Sequence, residues 1–270
     1  MRVGLFVHLY HRTLFQEFCG YIDNVMNEFS DTVLLVTLEN NVASKLFTVN
    51  LKIKYPQCHV LYIENKGVDI FSLLTQLRYV RANNINLDYI LKIHTKVSSN
   101  DDEQLMNWRQ QAITPITNPT SLKIIKNILA KTTVGYIAAQ DCILPKSYDN
   151  DFPLNLVGIR EFTDRFGMPS TYIDFIAGTL FWMNMDILNH LSEPVIDYIV
   201  SHLSEGKPPC NLTSKEIHVE YVLERLLTGP LCFHYTNVLI NSNVASERDL
   251  VYQPKLWTFH SPSEIIQLIT

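Results

Sequence analysis

The chain has 270 residues, of which 47% are hydrophobic, 11% aromatic and 18% charged; that much apolar material offsets the entropy of ordering the chain and excludes global disorder. The formal net charge of −5, without a long run of like charges, gives no electrostatic support to a nucleic-acid or anionic-membrane surface, so an anionic ligand must be held locally. Cys19, Cys58, Cys142, Cys210 and Cys232 are widely spaced, with no C-x-x-C pair, which argues against a zinc site or a disulfide framework and fits a reducing compartment.

Met1 to His8 is apolar over too short a stretch for a signal segment and reads as a first strand. Strands are expected at Val3 to His8, Thr32 to Leu38, His59 to Ile63 and Tyr89 to Ile93, alternating with helices at about Thr13 to Phe29, Ala43 to Lys54 and Ile70 to Asn83. The strands are rich in Val, Ile, Leu and aromatic residues and poor in charge, as strands buried on both faces are. The class is therefore α/β, with an open, mostly parallel central sheet flanked by helices. Ligands bind outside the carboxyl ends of such strands, which points to His8 to His11, Glu39 to Asn41, Glu64 to Asp69 and His94 to Ser98.

Further along, Asn100 can cap a helix from Asp101 to Ala112, and Pro115 and Pro119 separate it from another at about Leu122 to Ala130. A strand at Val134 to Ala138 precedes an irregular stretch, Asp141 to Asn155, of the kind that forms an active-site loop. Phe175 to Met183 reads as one buried strand and falls short of the about 20 residues a membrane span needs. Thr213-Ser214-Lys215-Glu216 has the capping-box pattern and is expected to start a helix reaching Leu227, stopped by Gly229-Pro230. The tail from Asn243 to Thr270 is expected to pack back onto the body. No composition shift marks a boundary, so the expectation is one domain over 1–270, cytoplasmic, without a membrane span or a nucleic-acid partner.

Lys92, His94 and Lys96 share strand parity and project to one side near a strand's carboxyl end. Like charges at that spacing repel unless an anion sits among them, and a phosphate or diphosphate is the natural counter-ion; the alternative is a solvated strand end. In Glu64-Asn65-Lys66-Gly67-Val68-Asp69-Ile70, Asn65 and Gly67 suit a tight turn with positive φ, and Asp69 can cap the following helix. On the helix after Thr213, Val219, Val222, Leu223 and Leu226 form a buried stripe, leaving His218, Tyr221 and Arg225 on one flank and Glu220 and Glu224 at i, i+4 on the other. That like-charged spacing disfavours a helix, so either a general base beside a phosphate anchor or a plain solvated face accounts for it. Asp149-Asn150-Asp151 has a spacing that can bind a divalent cation but follows no strand.

The segments Glu64 to Ile70, Asp88-Tyr89-Ile90-Leu91-Lys92-Ile93-His94-Thr95-Lys96, Ala177-Gly178-Thr179-Leu180-Phe181-Trp182 and His218 to Arg225 resemble, in order, those of the rhamnan synthesis F family, glycosyltransferase domains of polysaccharide assembly. The resemblance implies a GT-A-like, Rossmann-related fold that transfers a sugar from a nucleotide-diphosphate donor, dTDP-rhamnose or a UDP-sugar such as UDP-xylose or UDP-galactose, to a hydroxyl of a growing glycan. It divides the chain into a nucleotide-binding half, 1–99, an acceptor and catalytic half, 100–242, and the tail, 243–270. It implies that Asn65, Gly67 and Asp69 border the nucleotide-sugar beside His8, that Gly178 and Thr179 line the sugar or acceptor side, and that Trp182 is either packing or a sugar platform.

Where ordinary GT-A enzymes end a strand with a D-x-D triplet, this chain has His94-Thr95-Lys96, whose charge could neutralise the leaving diphosphate without a metal. The expected chemistry is direct, inverting displacement with Glu224 as first candidate base, Glu220 and Asp174 behind it, and Arg225 and His218 assisting the diphosphate. No cofactor is expected. The competing readings are a metal-dependent transferase using Asp149 or Asp151, and a non-catalytic glycan-binding scaffold.

Overall fold

A computed structural model describes residues 1–95, 103–131, 133–145, 153–168, 174–206, 216–232, 235–241 and 243–253. The amino-terminal third alternates β1 (Val3–His8), α1 (Phe15–Glu28), β2 (Thr32–Glu39), α2 (Val42–Lys54), β3 (His59–Ile63), α3 (Ile70–Ala82) and β4 (Tyr89–His94). These four strands are parallel, in the order β4-β1-β2-β3, and every residue of β1 and β4 is buried. Asn41 caps α2 by accepting the Ser44 N–H at 2.8 Å.

Next come α4 (Glu103–Thr117), α5 (Pro119–Lys131), β5 (Val134–Ala139), β6 (Ile143–Leu144), α6 (Pro153–Phe166), β7 (Phe175–Ile176) and β8 (Phe181–Asn184). The chain continues with α7 (Met185–Leu188), α8 (Glu193–His202), α9 (Val219–Thr228), β9 (Thr236–Ile240) and β10 (Val251–Gln253). Eight strands form one sheet in the order β10-β9-β5-β8-β4-β1-β2-β3, and β6 pairs with β7 in a separate ribbon. The sheet is mostly parallel: β8 runs antiparallel to both β4 and β5, and β10 antiparallel to β9. Because β8 is reversed, it begins where β4 ends, with Phe181 opposite Lys92, so the turn that feeds β8 arrives at the carboxyl rim of the sheet.

The structure departs from the sequence reading at four places. The expected strand from Phe175 to Met183 is two, β7 and β8, because Gly178 and Thr179 take positive φ values of 81° and 49° and break the extended run. The helix expected to start at Thr213 begins at Val219, with an extended His218 as its N-cap; the residues 213–215 lie outside the described ones. α4 runs through Pro115 to Thr117, since buried Ala112, Ile113 and Ile116 sustain its core-facing stripe despite the N–H that proline lacks. The stretch expected to be irregular contains β6 and the start of α6. The tail is described only to 253, where β10 does pair back onto β9; 254–270 lie outside.

Trp182 settles as core. It is fully buried, its ring lies 5.0 Å from that of Phe29, and its Nε1 donates to the Ile116 carbonyl at 3.0 Å, so it cannot serve as a sugar platform. Replacing it, Trp182→Ala, removes a large side chain and orphans that carbonyl, and a loss of about 3 to 5 kcal/mol is expected, read as a lower urea midpoint at unchanged m-value.

Candidate functional site

The carboxyl rim is built around a lysine inside a strand. Lys92 is 1% exposed, and its Nζ donates to Asp69 Oδ2 at 2.5 Å, to Thr179 Oγ1 at 2.7 Å and to the Thr179 carbonyl at 3.1 Å, with His94 Nδ1 at 3.5 Å. The Thr179 hydroxyl donates to the same Asp69 oxygen, and His94 Nδ1 lies 3.8 Å from it. The counter-ion that the sequence reading sought in an external phosphate is therefore, for Lys92, a carboxylate of the chain itself. Burial alone would raise the Asp69 carboxyl; Lys92, His94 and the two hydrogen bonds outweigh it and hold the group well below the usual carboxylate range.

Asp69 occupies the N-cap of α3 but makes no side-chain cap bond, because its carboxylate turns away toward Lys92 and Thr179. It is presented by a turn in which Gly67 and Val68 have φ of 58° and 52°. Gly67 is required there twice over: its φ is left-handed, and a Cβ would meet Leu203 side-chain carbons at 2.7 Å. The turn is strapped to the segment after α8, with Gly67 N–H donating to the Ser204 carbonyl at 2.8 Å and Gly206 N–H to the Asn65 carbonyl at 3.1 Å. The exposed Asn65 amide reaches Tyr10 Oη at 3.2 Å, joining the loops after β1 and β3 across the rim.

The turn before β8 carries the other half. Thr179 is β-branched in a left-handed conformation, a strained state that its contacts with Lys92 and Asp69 sustain. Gly178 N–H donates to Glu224 Oε1 at 2.5 Å, and a Cβ at Gly178 would run into the Trp108 ring. Glu224 keeps its other oxygen 3.2 Å from Arg225 Nη1 and is 19% exposed. Arg225 itself is buried, its guanidinium 4.3 Å from the Phe175 ring centre and donating to the Tyr221 carbonyl at 2.8 Å. It orients Glu224 from behind rather than presenting a cation at the surface.

Glu220, the second carboxylate of the i, i+4 pair, is buried and accepts the Ser204 N–H at 2.5 Å, while His218 Nδ1 lies 3.3 Å from the Ser204 hydroxyl. Both residues thus contact the Ser204 segment that straps the Gly67 turn, and Glu220 is buried beneath it. Asp174 precedes β7, half-buried, and its charge adds to the burial and the Cys232 effect that push the Tyr136 phenol up.

His8 closes the floor beside His94, its register partner in β4. Burial, helped by Lys92, lowers its pKa to about 4 against the opposing effect of Asp69, so the ring is neutral near pH 7. Its Nδ1 lies 3.0 Å from Thr37 Oγ1, which continues to Ser72 Oγ at 2.6 Å. The rim also includes Arg12, one residue beyond the expected strand-end segment His8 to His11: its Nη1 donates to Ser44 Oγ at 2.6 Å and to Asn41 Oδ1 at 3.3 Å. Lys96, Asp149 and Asp151 lie outside the described residues. Among the described residues, no group of three or more His, Cys, Asp or Glu side chains is placed to hold a metal ion, and no helix is long and apolar enough to cross a membrane. The described cysteines, Cys19, Cys58, Cys142 and Cys232, are free thiols, all buried.

A comparison with family models matches residues 1–227 to the family described as rhamnan synthesis protein F. No curated protein and no solved structure matches the chain.

Asp69→Asn leaves a buried lysine without its counter-charge and is expected to cost about 3 to 5 kcal/mol in denaturant unfolding, whereas adding Lys92→Met to it restores much of the loss. The pH dependence follows from two signs. Folding lowers the Asp69 pKa, so its stabilisation is complete above the ordinary carboxylate range and is lost as pH falls through the folded-state value. Folding also lowers the His8 pKa, from 6.5 to about 4, so protonation of the unfolded chain weakens the fold as pH drops between those values, by about 1.4 kcal/mol per unit at most. His8→Asn should flatten the stability curve in that window and leave the steeper acid limb in place.

Proposed function

The chain belongs to the rhamnan synthesis protein F family over residues 1–227, and from that membership and the geometry of the rim we propose that it is a GT-A-like glycosyltransferase acting on a nucleotide-diphosphate sugar. One observation carries the reading. The segments 64–70, 88–95, 177–182 and 218–225 meet in a continuous set of contacts, Lys92 to Asp69, both to Thr179, and the adjoining Gly178 to Glu224, at the carboxyl end of a parallel sheet where nucleotide ligands bind.

In the proposed reaction an acceptor hydroxyl of a growing glycan attacks the anomeric carbon of dTDP-rhamnose or of a UDP-sugar. The new carbon–oxygen bond forms as the bond to the diphosphate breaks, and that electron pair leaves with the diphosphate. Glu224, partly exposed at the rim and held by the Gly178 N–H and Arg225, takes the hydroxyl proton. Displacement from the face opposite the leaving group inverts the anomeric centre. His94, with Lys96 following it in sequence, is assigned to the diphosphate in place of a metal ion. Lys92 and Asp69 neutralise each other and position the Thr179 turn. The cytoplasmic, single-domain arrangement expected from the sequence belongs to the same proposal.

A thermal-shift panel of UDP, dTDP, GDP and CMP with their sugars, each with and without EDTA, tests the donor site, because a ligand of the native state raises the midpoint. The expected outcome is a rise with dTDP or UDP that survives EDTA; a rise abolished by EDTA moves the diphosphate onto a metal, and the absence of any rise sinks the transferase reading. With the donor so identified, Glu224→Gln, which keeps an acceptor for Gly178, is expected to lower kcat about a hundredfold or more.

A further inference from the structure

α2 presents two apolar arcs in two directions. Ser44 and Leu51 are buried and Phe47 packs against the core, whereas Val42, Leu46, Val49 and Ile53 are 74%, 69%, 60% and 74% exposed. Spacings of four, three and four residues put those four side chains in one narrow stripe along the whole helix. Tyr62 of β3, 39% exposed, flanks the helix, its hydroxyl shared with Thr48 at 2.8 Å. β3 is the last strand of the sheet on this side.

Within α2 the charge has one sign. α2 contains Lys45, Lys52 and Lys54 and no acidic residue. Lys54 leans to Asp23 of α1, with Nζ to Oδ2 at 2.9 Å. Lys52 donates to the backbone carbonyls of Cys58 and Pro56, which bond its ammonium without neutralising it. Lys45 is exposed beside the stripe. An apolar stripe with cationic shoulders is the pattern of a helix that lies in a lipid headgroup region. The same charges oppose a second copy of the chain, since a twofold contact along α2 would set lysines against lysines.

We propose that α2 is an interfacial docking helix that seats the chain on an anionic lipid surface, with Val42, Leu46, Val49 and Ile53 entering the boundary between headgroups and acyl chains and Lys45 and Lys52 meeting lipid phosphates. α2 starts at the carboxyl end of β2, so a surface held along it runs up to the rim that carries the candidate site. The inference stands apart from the proposed reaction and fails or survives independently of it.

Co-sedimentation of the full chain with vesicles of phosphatidylcholine alone, and of equal parts phosphatidylcholine and phosphatidylglycerol, tests the proposal, with light scattering of the free chain in parallel. The chain is expected to sediment with the anionic vesicles, less at high salt, and to stay in solution with the neutral ones. Leu46→Glu with Ile53→Glu changes only exposed positions, leaves the thermal midpoint in place and abolishes sedimentation, while Lys45→Ala weakens it about fivefold. Failure to sediment with anionic vesicles overturns the proposal, as does equal sedimentation of the double variant. A solution dimer that the double variant dissolves, with no vesicle binding, assigns the stripe to a second copy instead.

Discussion

The site depends on one buried ion pair. A lysine in the middle of an all-buried strand is costly to desolvate, and β4 can accept Lys92 only because Asp69 arrives beside it from the loop after β3. An apolar residue at the same position would pack more cheaply, so net stability does not account for the pair; fixed geometry does. Lys92 has donors left over after Asp69, and they go to the hydroxyl and carbonyl of Thr179, 87 residues further along the chain. Those bonds hold a β-branched residue in a left-handed conformation that it would otherwise leave, directly after the Gly178 whose N–H donates to Glu224.

α9 closes the same arrangement from the other side. One turn apart on its buried flank, Glu220 accepts the Ser204 N–H and Glu224 the Gly178 N–H. The first bond reaches Asp69 through the strap between Ser204 and the Gly67 turn, and the second through Thr179. The like-charged i, i+4 pair that disfavours an isolated helix is thus resolved by two separate backbone donors, each stronger for being charge-assisted. The two carboxylates differ in exposure: Glu220 is buried beneath the strap, while Glu224 keeps partial exposure at the rim.

Much of this was legible in the sequence because it is local. β1 to β4 and α1 to α3 announce themselves through apolar runs and helical spacing, and the strand ends that follow from a parallel sheet contain His8, Asp69, Thr95 and His94. What escaped is non-local. Nothing in the spacing of Lys92 and Asp69 says that one answers the other, and a carboxylate at the head of a helix reads as a cap until a buried cation draws it away. The reversal of β8 is equally invisible in its four buried residues, yet it alone brings the Gly178 turn to the rim. The Ile116 carbonyl that fixes Trp182 in the core lies 66 residues away in sequence.

Counting charge along a chain also differs from counting charge available to a ligand. The strand motif carries three cation-capable residues, but Lys92 is neutralised internally and His8, which joins it in space, is kept neutral by burial. Conversely, a net charge of −5 argued against any anionic surface, although the average hides a helix with three lysines and no acid. The apolar residues of α2 pose the same problem: both arcs satisfy helical periodicity, and only what packs against one of them, Phe15 on Phe47 and Arg12 on Ser44 among it, decides which arc is core and which faces outward. Where a helix lies over the edge of a sheet, periodicity specifies that it is amphipathic without specifying which side is covered. The exposed arc then has to be explained by something outside the fold, and its lysines narrow what that is.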